Sequence, residues 1–314
     1  MRKYQKWLVM LSDTEDYSGF LDNVSKLADI FLPIQMHVVL TNRKPDLPRQ
    51  VLKDLPFLRH PELHEQKSQL EVRLKSVLHS DHSYQVSAVE EHSLMQILEY
   101  CKQDNTELMI LQKASREALP IRAQKLVRKS PCSVLLLESK SLQLNHILAH
   151  LDFSNYSDLA IATIKELQEQ SPLTNFTVVH TFRDASRYMD KVFERVDEVN
   201  ELYGKSTLIN QRLQANADYD LNDYLVKVGL KSARSEAMAY STLEKRASDL
   251  IRYVNQVSPD LLIVGSKDNE VSSVDLLSSL TEGLMQTKFF PTTLIQKERG
   301  ENEGLLKTLL KFLS

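Results

Sequence analysis

Short apolar runs alternate along the whole chain with longer segments in which apolar residues recur at spacings of three and four. The first run covers residues 7–11, and the segment after it, 17–31, places Phe20, Leu27 and Phe31 on one helical face. Such alternation predicts parallel β-strands joined by crossover helices. In the first half we predict strands at 7–11, 34–40, 84–89, 108–111 and 133–137, with helices at 17–31, 62–77, 93–102 and 121–128.

The second half repeats this order of elements. A long, charged helical stretch that begins near Ala185 is its main departure from the first half. We predict strands at 147–151, 176–182, 236–240, 261–264 and 292–295, with further helices at 156–168, 243–257 and 276–286.

Similar short sequence segments in the two halves support an internal repeat. Glu107-Leu-Met-Ile-Leu111 matches Asp260-Leu-Leu-Ile-Val264, and a Tyr-Ser pair opens the first helix of each half. A proline, Pro131 or Pro291, introduces the last strand of each half, where it removes no hydrogen bond from a central strand. We therefore predict two α/β domains, residues 1–140 and 141–314, each a doubly wound sheet of five parallel strands. Such sheets bind ligands beyond the carboxyl ends of their strands.

Composition narrows the function classes. The chain has 314 residues, a length that suits two domains, and its formal net charge of -3 offers no basic field for nucleic acid. No run approaches the length of a membrane span and no signal-peptide pattern opens the chain, so we expect a cytoplasmic protein. The two cysteines, Cys101 and Cys132, are interpreted as small buried hydrophobic residues in a reducing compartment.

Three segments of the second half resemble the universal stress proteins. The run from His146 through Asp152 to Ser157 is similar to their opening strand and turn. Asp260-Leu-Leu-Ile-Val-Gly265-Ser266 resembles their fourth strand and the first glycine of their phosphate loop, and residues 276–282 resemble the end of that loop. The likeness is fainter in the first half. It implies a tandem, Rossmann-like protein that folds as an internal pseudo-dimer and takes part in stress responses without catalysis.

The resemblance also implies a candidate ATP site in the second domain. In the nucleotide-binding branch of the family, the loop carries glycine at three positions, which here hold Gly265, Asp268 and Ser278. The side chains at the last two positions oppose close approach of the backbone to phosphate. A carboxylate about 4 Å from a phosphate charge is repelled by roughly 4 kcal/mol, although a bridging Mg²⁺ reverses that sign. The implied site residues are Asp152, Gly265, Ser266, Asp268, Ser278 and Ser279.

The first domain departs further from the family pattern. Gln112 stands where the first glycine is expected, no glycine follows it before Pro131, and the loop is shorter. We expect no phosphate site of the family type in this domain.

Other candidate residues favour ordinary structural roles. His146 and His150 alternate with apolar residues on a strand, which favours packed, hydrogen-bonded side chains over ligand contacts. No nucleophile motif or metal-binding pattern is present, so we predict no catalytic residue and no metal site. The segment 304–313 carries a leucine stripe, which suits a helix that docks on its own chain, on a twin subunit, on a partner or on a membrane surface.

Three functional hypotheses follow from the sequence. The first is a non-catalytic stress-response protein that acts through contacts with an unidentified protein partner or as a homodimer. The second is an ATP sensor that uses only the second domain, with Mg²⁺ and slow hydrolysis as further options. The third is a binder of another small ligand in the cleft of the second domain.

Overall fold

The computed structural model describes residues 4–12, 17–42, 51, 54, 63–79, 82–90, 94–113, 119–186, 188, 199–231, 233–267, 277–288 and 291–302. The chain divides into two compact units. The first unit comprises Met1–Leu142 together with Lys297–Ser314, and the second comprises Gln143–Gln296.

The first unit alternates strands and helices in chain order. Its strands are β1 (Lys6–Ser12), β2 (Gln35–Asn42), β3 (Tyr84–Glu90), β4 (Leu108–Lys113) and β5 (Ser133–Glu138). Its helices are α1 (Ser18–Phe31), α2 (Leu63–Val77), α3 (Leu94–Gln103) and α4 (Ile121–Lys129). The strands form a parallel sheet in the order β3-β2-β1-β4-β5.

Burial explains why these segments fold as they do. The central strands β1 and β4 are almost entirely apolar and buried, as expected for a parallel sheet covered on both faces. Helix α1 buries Phe20, Leu27 and Phe31, which recur on one face as predicted. The Phe31 ring packs edge-on against Trp7 at the start of β1, with ring centroids 6.3 Å apart.

The second unit repeats the plan of the first. Its strands are β6 (His146–Leu151), β7 (Asn175–Arg183), β8 (Arg234–Tyr240), β9 (Leu261–Gly265) and β10 (Thr292–Gln296). Its helices are α5 (Asn155–Gln170), α6 (Val199–Lys227), α7 (Leu243–Val257) and α8 (Ser279–Gln286). The strand order is β8-β7-β6-β9-β10, again with every pair parallel.

Strand register relates positions in the two units. Trp7 pairs with Leu108 in the first unit, and Ile147 pairs with Leu261 at the corresponding place in the second. Counting along β4 and β9 from these pairs, Gln112 occupies the position of Gly265. This agrees with the alignment predicted from the sequence.

The predicted α/β fold with five parallel strands in each unit is confirmed, and two details differ from the prediction. Helix α8 begins at Ser279 rather than near residue 276, because the side chain of Ser278 caps it. The residues after β10 were assigned to the second domain, yet Lys297 and Asn302 are held by carbonyl groups of the first unit. The stretches 189–198 and 304–313 lie outside the described residues. No helix in the described part of the chain is long and apolar enough to cross a membrane.

Candidate functional site

Asp152 lies where β6 ends and α5 begins, at the carboxyl edge of the second sheet. Its Oδ1 accepts hydrogen bonds from the hydroxyls of Ser154, at 2.5 Å, and Ser157, at 3.0 Å, and from the backbone N–H of Ser154. The Asp152 backbone N–H donates to Ser157 Oγ at 2.9 Å, and Ser154 Oγ caps α5 by accepting from the Tyr156 N–H. This oxygen of Asp152 therefore organises the start of α5.

Gly265 ends β9 and lies against the first turn of α5. A Cβ atom at this position would stand 2.8 Å from Tyr156 Cβ and 2.9 Å from the carbonyl oxygen of Lys267. Real Cβ atoms essentially never approach other heavy atoms that closely. Packing against Tyr156 and the following turn therefore requires glycine here, whether or not a phosphate binds. The contact also brings the β9 turn next to the helix whose start Asp152 organises.

Ser266 and Ser278 close the loop after β9 through a hydrogen-bonded network. The Ser278 N–H donates to the Ser266 carbonyl at 2.7 Å, and the Ser266 N–H donates to the Gln296 carbonyl at 2.8 Å. The Ser278 hydroxyl caps α8 by accepting from the Thr281 N–H. The Thr281 hydroxyl donates to the Gly265 carbonyl at 2.8 Å. The two ends of the loop are therefore joined to each other.

The predicted site residues thus fall into three groups. Ser266 and Ser278 are buried and bonded within the loop closure, whereas Ser279 is exposed at the start of α8. Asp152 is hydrogen-bonded to the first turn of α5, and Gly265 packs against the same turn. Asp268 lies outside the described residues.

An aromatic cluster that the sequence did not reveal lies beside Asp152. Phe153 has a backbone φ of 60°, in the left-handed region, and its ring stacks on His180 at a centroid distance of 4.3 Å. Tyr224 of α6 contacts the same ring edge-on at 5.3 Å, and its hydroxyl donates to Asp158 at 2.7 Å. These residues come from three distant segments, so no local pattern signals their contact. All three rings are half-buried.

A buried arginine side chain from a helix contacts strand β7 next to this cluster. Arg246 of α7 donates from Nε to Thr181 Oγ1 at 2.9 Å, and Nε2 of His150 lies 2.8 Å from the same hydroxyl. Burial, reinforced by the charge of Arg246, lowers the pKa of His150 well below its usual value. Burial also lowers the pKa of His180, whose Nδ1 lies 2.8 Å from the Leu151 carbonyl. His150 is therefore a packed, neutral histidine, as predicted.

The equivalent end of β4 in the first unit carries charged and amide groups. Lys113 is 1% exposed, and its Nζ lies 3.0 Å from Glu138 Oε1. Gln112 donates from Nε2 to Ser139 Oγ at 3.0 Å. Gly19 of α1 packs against Ser139, since a Cβ at Gly19 would stand 2.4 Å from the Ser139 carbonyl oxygen. Side chains and the chain after β5 therefore occupy this end of the first sheet.

A serine–histidine–aspartate chain in the first unit was not predicted. Nδ1 of His37 lies 2.6 Å from Asp104 Oδ2, and its Nε2 lies 2.9 Å from Ser87 Oγ. The order matches that of a hydrolytic triad. His37 lies near the amino end of β2 and Asp104 follows the last turn of α3, whereas ligands of doubly wound sheets bind at the carboxyl ends. We interpret these hydrogen bonds as structural contacts that join α3 to the edge of the sheet.

The described residues contain no group of three or more histidine, cysteine, aspartate or glutamate side chains that could hold a metal ion.

No family model matches the sequence, and no curated protein matches it. Solved structures do match. A protein from Pseudomonas aeruginosa UCBPP-PA14, provisionally assigned to the universal stress proteins, aligns over 98% of both chains with 13% identity and a TM-score of 0.61.

Two further structures span nearly the whole chain. A functionally unknown protein from Pseudomonas aeruginosa PAO1 covers 99% of this chain and 98% of its own, with 14% identity and a TM-score of 0.60. A universal stress protein from Archaeoglobus fulgidus covers 94% of this chain and 97% of its own, with 12% identity and a TM-score of 0.57. At these identities the likeness establishes the fold. The chain therefore has the two-domain fold of a tandem universal stress protein, as its sequence resemblance predicts.

Proposed function

We propose that the protein is a non-catalytic regulatory protein of the universal stress type that acts through contacts with other proteins, without a bound nucleotide. One observation carries this proposal. In both units, the residues at the end of the fourth strand, where a phosphate loop would begin, are bonded to other groups of the protein itself.

In the second unit, we infer that a triphosphate at this turn would compete with the loop closure. A helix N-terminus binds anions through backbone N–H groups, and the Ser278 hydroxyl already accepts from one of them, that of Thr281. The bonds from Ser278 N–H to the Ser266 carbonyl and from Thr281 Oγ1 to the Gly265 carbonyl hold the loop ends together. Each such bond contributes about 0.5–1.5 kcal/mol, so opening the loop weakens any phosphate binding that depends on it.

In the first unit, charge opposes nucleotide binding. Among the described residues, Lys113 is a cation at the carboxyl end of β4, and it is paired with Glu138. A phosphate entering here meets that carboxylate as well as the ammonium. The net attraction is therefore small.

The long helix α6 offers a surface that suits protein contacts. Leu208, Tyr219 and Val226 are all more than half exposed, and their spacing of eleven and seven residues places them on one face of the helix. Ala215 lies on the same face and is exposed. Exposed apolar residues that share one helix face, here separated by polar ones, suit a contact with another protein.

Equilibrium titration with ATP, with and without Mg²⁺, tests the absence of a nucleotide site. We expect no saturable binding at concentrations up to about 1 mM, a dissociation constant that corresponds to about 4 kcal/mol of binding free energy. Micromolar affinity that Ser279→Glu abolishes contradicts the proposal. Ser279→Glu adds a charge at the exposed start of α8, where a carboxylate stabilises the helix while repelling phosphate. Substitutions at Gly265 are less suitable because they disturb the contact with Tyr156.

A reverse experiment restores the glycines. Replacing Asp268 and Ser278 by glycine together removes one carboxylate and the side chain that caps α8. We expect ATP affinity to rise at least about tenfold, while glycine at the cap costs only a few tenths of a kcal/mol in stability. No gain in affinity would show that something other than the lost glycines prevents binding.

Photo-cross-linking tests the contact surface on α6. A photoreactive amino acid at position 219 is compared with the same group at position 173, since Tyr219 is 71% exposed and Leu173 is 92% exposed on a turn outside α6. We expect a discrete protein adduct from position 219 in cells that express the protein at its native level. Equal adducts from both positions, or none from position 219, contradict a role for this surface.

A second function, binding of a different small ligand in the second unit, is favoured by the half-buried rings of Phe153, His180 and Tyr224 at the carboxyl edge of the sheet. Stacked rings of this kind suit a flat, partly apolar molecule. Native mass spectrometry of freshly purified protein separates this function from the first. A retained molecule that Phe153→Ala releases supports it, and a mass equal to that of the bare chain argues against it.

A further inference from the structure

Helix α6 is long and packs on its own unit through one face. It has 29 residues, whereas α2, at the equivalent place in the first unit, has 15. The packed face of α6 is anchored by a hydrogen bond from Gln214 Nε2 to the Ala237 carbonyl of β8, at 2.9 Å, and its buried residues are Ala217, Leu221 and Leu225. The opposite face of the helix is exposed to solvent.

The exposed face of α6 is complementary to itself when a second helix runs in the opposite direction. Its apolar residues Leu208, Ala215, Tyr219 and Val226 are all exposed and lie within about 40° of one another around the helix. Leu208 and Val226 stand equally far from residue 217 along the chain, and so do Ala215 and Tyr219. A two-fold axis at that level therefore places Leu208 opposite Val226 of a second copy. It also places the small Ala215 opposite the Tyr219 ring, which needs the room.

Charge along α6 favours the same antiparallel arrangement. Residues 204–216 carry two cations and no acidic residue, whereas residues 217–227 carry three aspartates and one lysine. The two halves of the helix therefore have net charges of +2 and -2. Arg212 and Asp223 flank the apolar residues and come to nearly the same level across an antiparallel pair. A parallel pair would instead set like charges against each other, which is unfavourable at an interface.

We propose that the exposed face of α6 binds the same face of a second copy of this chain, as an antiparallel pair of helices. Since the proposed function assigns protein contacts to α6, this pairing rests on it and names the partner. Each copy uses the same patch, so the contact closes as a dimer. A helix pair of about five turns is smaller than a standard interface of roughly 1,600 Å², and we expect a dissociation constant of about 10–100 μM.

Analytical ultracentrifugation of the purified full-length protein between about 1 and 300 μM tests the pairing, because this range spans the expected dissociation constant. Arg212→Glu and Asp223→Arg should each weaken the dimer at least about tenfold, because like charges then face each other at both ends of the pair. An equimolar mixture of the two variants should restore the dimer, since opposite charges face each other again. Leu173→Ser, at a residue 92% exposed outside α6, is the control and should change nothing. A monomer at every concentration, or a dimer that neither charge reversal weakens, overturns the proposal.

Disulfide trapping tests the direction of the two helices. The native cysteines Cys101 and Cys132 are buried, so mild oxidation reports on cysteines introduced at the exposed positions. In an antiparallel pair the two copies of residue 208 lie about 27 Å apart along the helix axis, at 1.5 Å per residue. Leu208→Cys chains should therefore link to Val226→Cys chains and not to one another. Linking of Leu208→Cys chains among themselves overturns the antiparallel arrangement.

The photoreactive group at position 219 separates this pairing from the proposed function. An adduct with the mass of two copies of the chain supports both. An adduct with a different protein, together with a purified protein that stays monomeric, overturns the self-pairing and leaves contacts with other proteins supported. A monomeric protein that gives no adduct contradicts both.

Discussion

The turn after the fourth strand is built by different chemistry in the two units, although the strands before it correspond residue by residue. In the first unit, a buried lysine–glutamate pair and a glutamine–serine hydrogen bond lie at the end of β4. In the second unit, Ser266, Ser278 and Thr281 close the loop through neutral hydrogen bonds. The two units therefore stabilise equivalent positions by different chemistry, one through an ion pair and one through neutral hydrogen bonds.

Gly265 shows that a residue that matches a family pattern can be required by packing alone. The glycine meets the family pattern, yet the structure gives it a packing role against Tyr156. Gln112 takes the equivalent place in the first unit, where its amide reaches Ser139. A retained glycine is thus weak evidence for a ligand until its contacts are known.

The largest effect is expected from breaking the ion pair of the first unit. Glu138→Gln leaves the Lys113 ammonium buried without its carboxylate, and we expect a loss of about 3 kcal/mol in the free energy of unfolding. Hydrogen exchange of β4 and β5, combined with urea denaturation, measures this loss in the first unit. Adding Lys113→Met to Glu138→Gln should recover most of the stability, because the charge is removed. A loss below about 1 kcal/mol for the single variant would indicate that the pair behaves like a surface salt bridge.

Alanine at Gly265 tests the packing role of that residue. The added Cβ meets Tyr156 and the Lys267 carbonyl, and we expect a loss of about 1–3 kcal/mol by urea denaturation. Gly204→Ala in α6 is the matched control. Apart from its own helix backbone and chain neighbours, no heavy atom of the described residues lies within 4 Å of a Cβ at Gly204, so this variant should gain up to about 1 kcal/mol from helix propensity. Equal changes in the stability of the two variants would contradict the close packing described at Gly265.

Acid should destabilise the second unit through its buried histidines. Burial lowers the pKa values of His150 and His180 below the ordinary 6.5, so the folded state keeps both neutral while the unfolded chain takes up protons. The free energy of unfolding is therefore fully present above the unfolded pKa and falls as the pH drops below it. The slope reaches at most about 1.4 kcal/mol per pH unit for each histidine. Urea denaturation between pH 8 and pH 5 measures the slope, and His150→Gln should flatten it. An unchanged slope in that variant would contradict a buried, neutral His150.

The smallest effect concerns the cap of α8. Ser278→Ala removes the side chain that accepts from the Thr281 N–H, and we expect a loss of about 1 kcal/mol. Ser279→Ala, one residue along and exposed, should change stability by less than about 0.5 kcal/mol. Thermal melts of the two variants give the comparison. Equal losses would place the cap at a residue other than Ser278.

The sequence predicted the elements well because their signals are local. Apolar runs located the strands of both units, and similar short sequence segments showed which elements of the two halves correspond. Contacts that join distant segments had no such signal. Lys113 and Glu138 lie 25 residues apart in the chain and meet only because the neighbouring parallel strands β4 and β5 bring them together. The capping role of Ser278 was readable in principle, since serine before a helix is a common cap. We instead interpreted Ser278 as part of a phosphate loop, because the segment resembles one.

A crystal structure of the protein grown with ATP and Mg²⁺ tests the account most directly. We predict a turn after β9 in which Ser278 N–H still donates to the Ser266 carbonyl and Thr281 still bonds to Gly265, with no nucleotide against them. A triphosphate lying against Gly265 and Ser266, with the Ser278 side chain withdrawn from the Thr281 N–H, would contradict it.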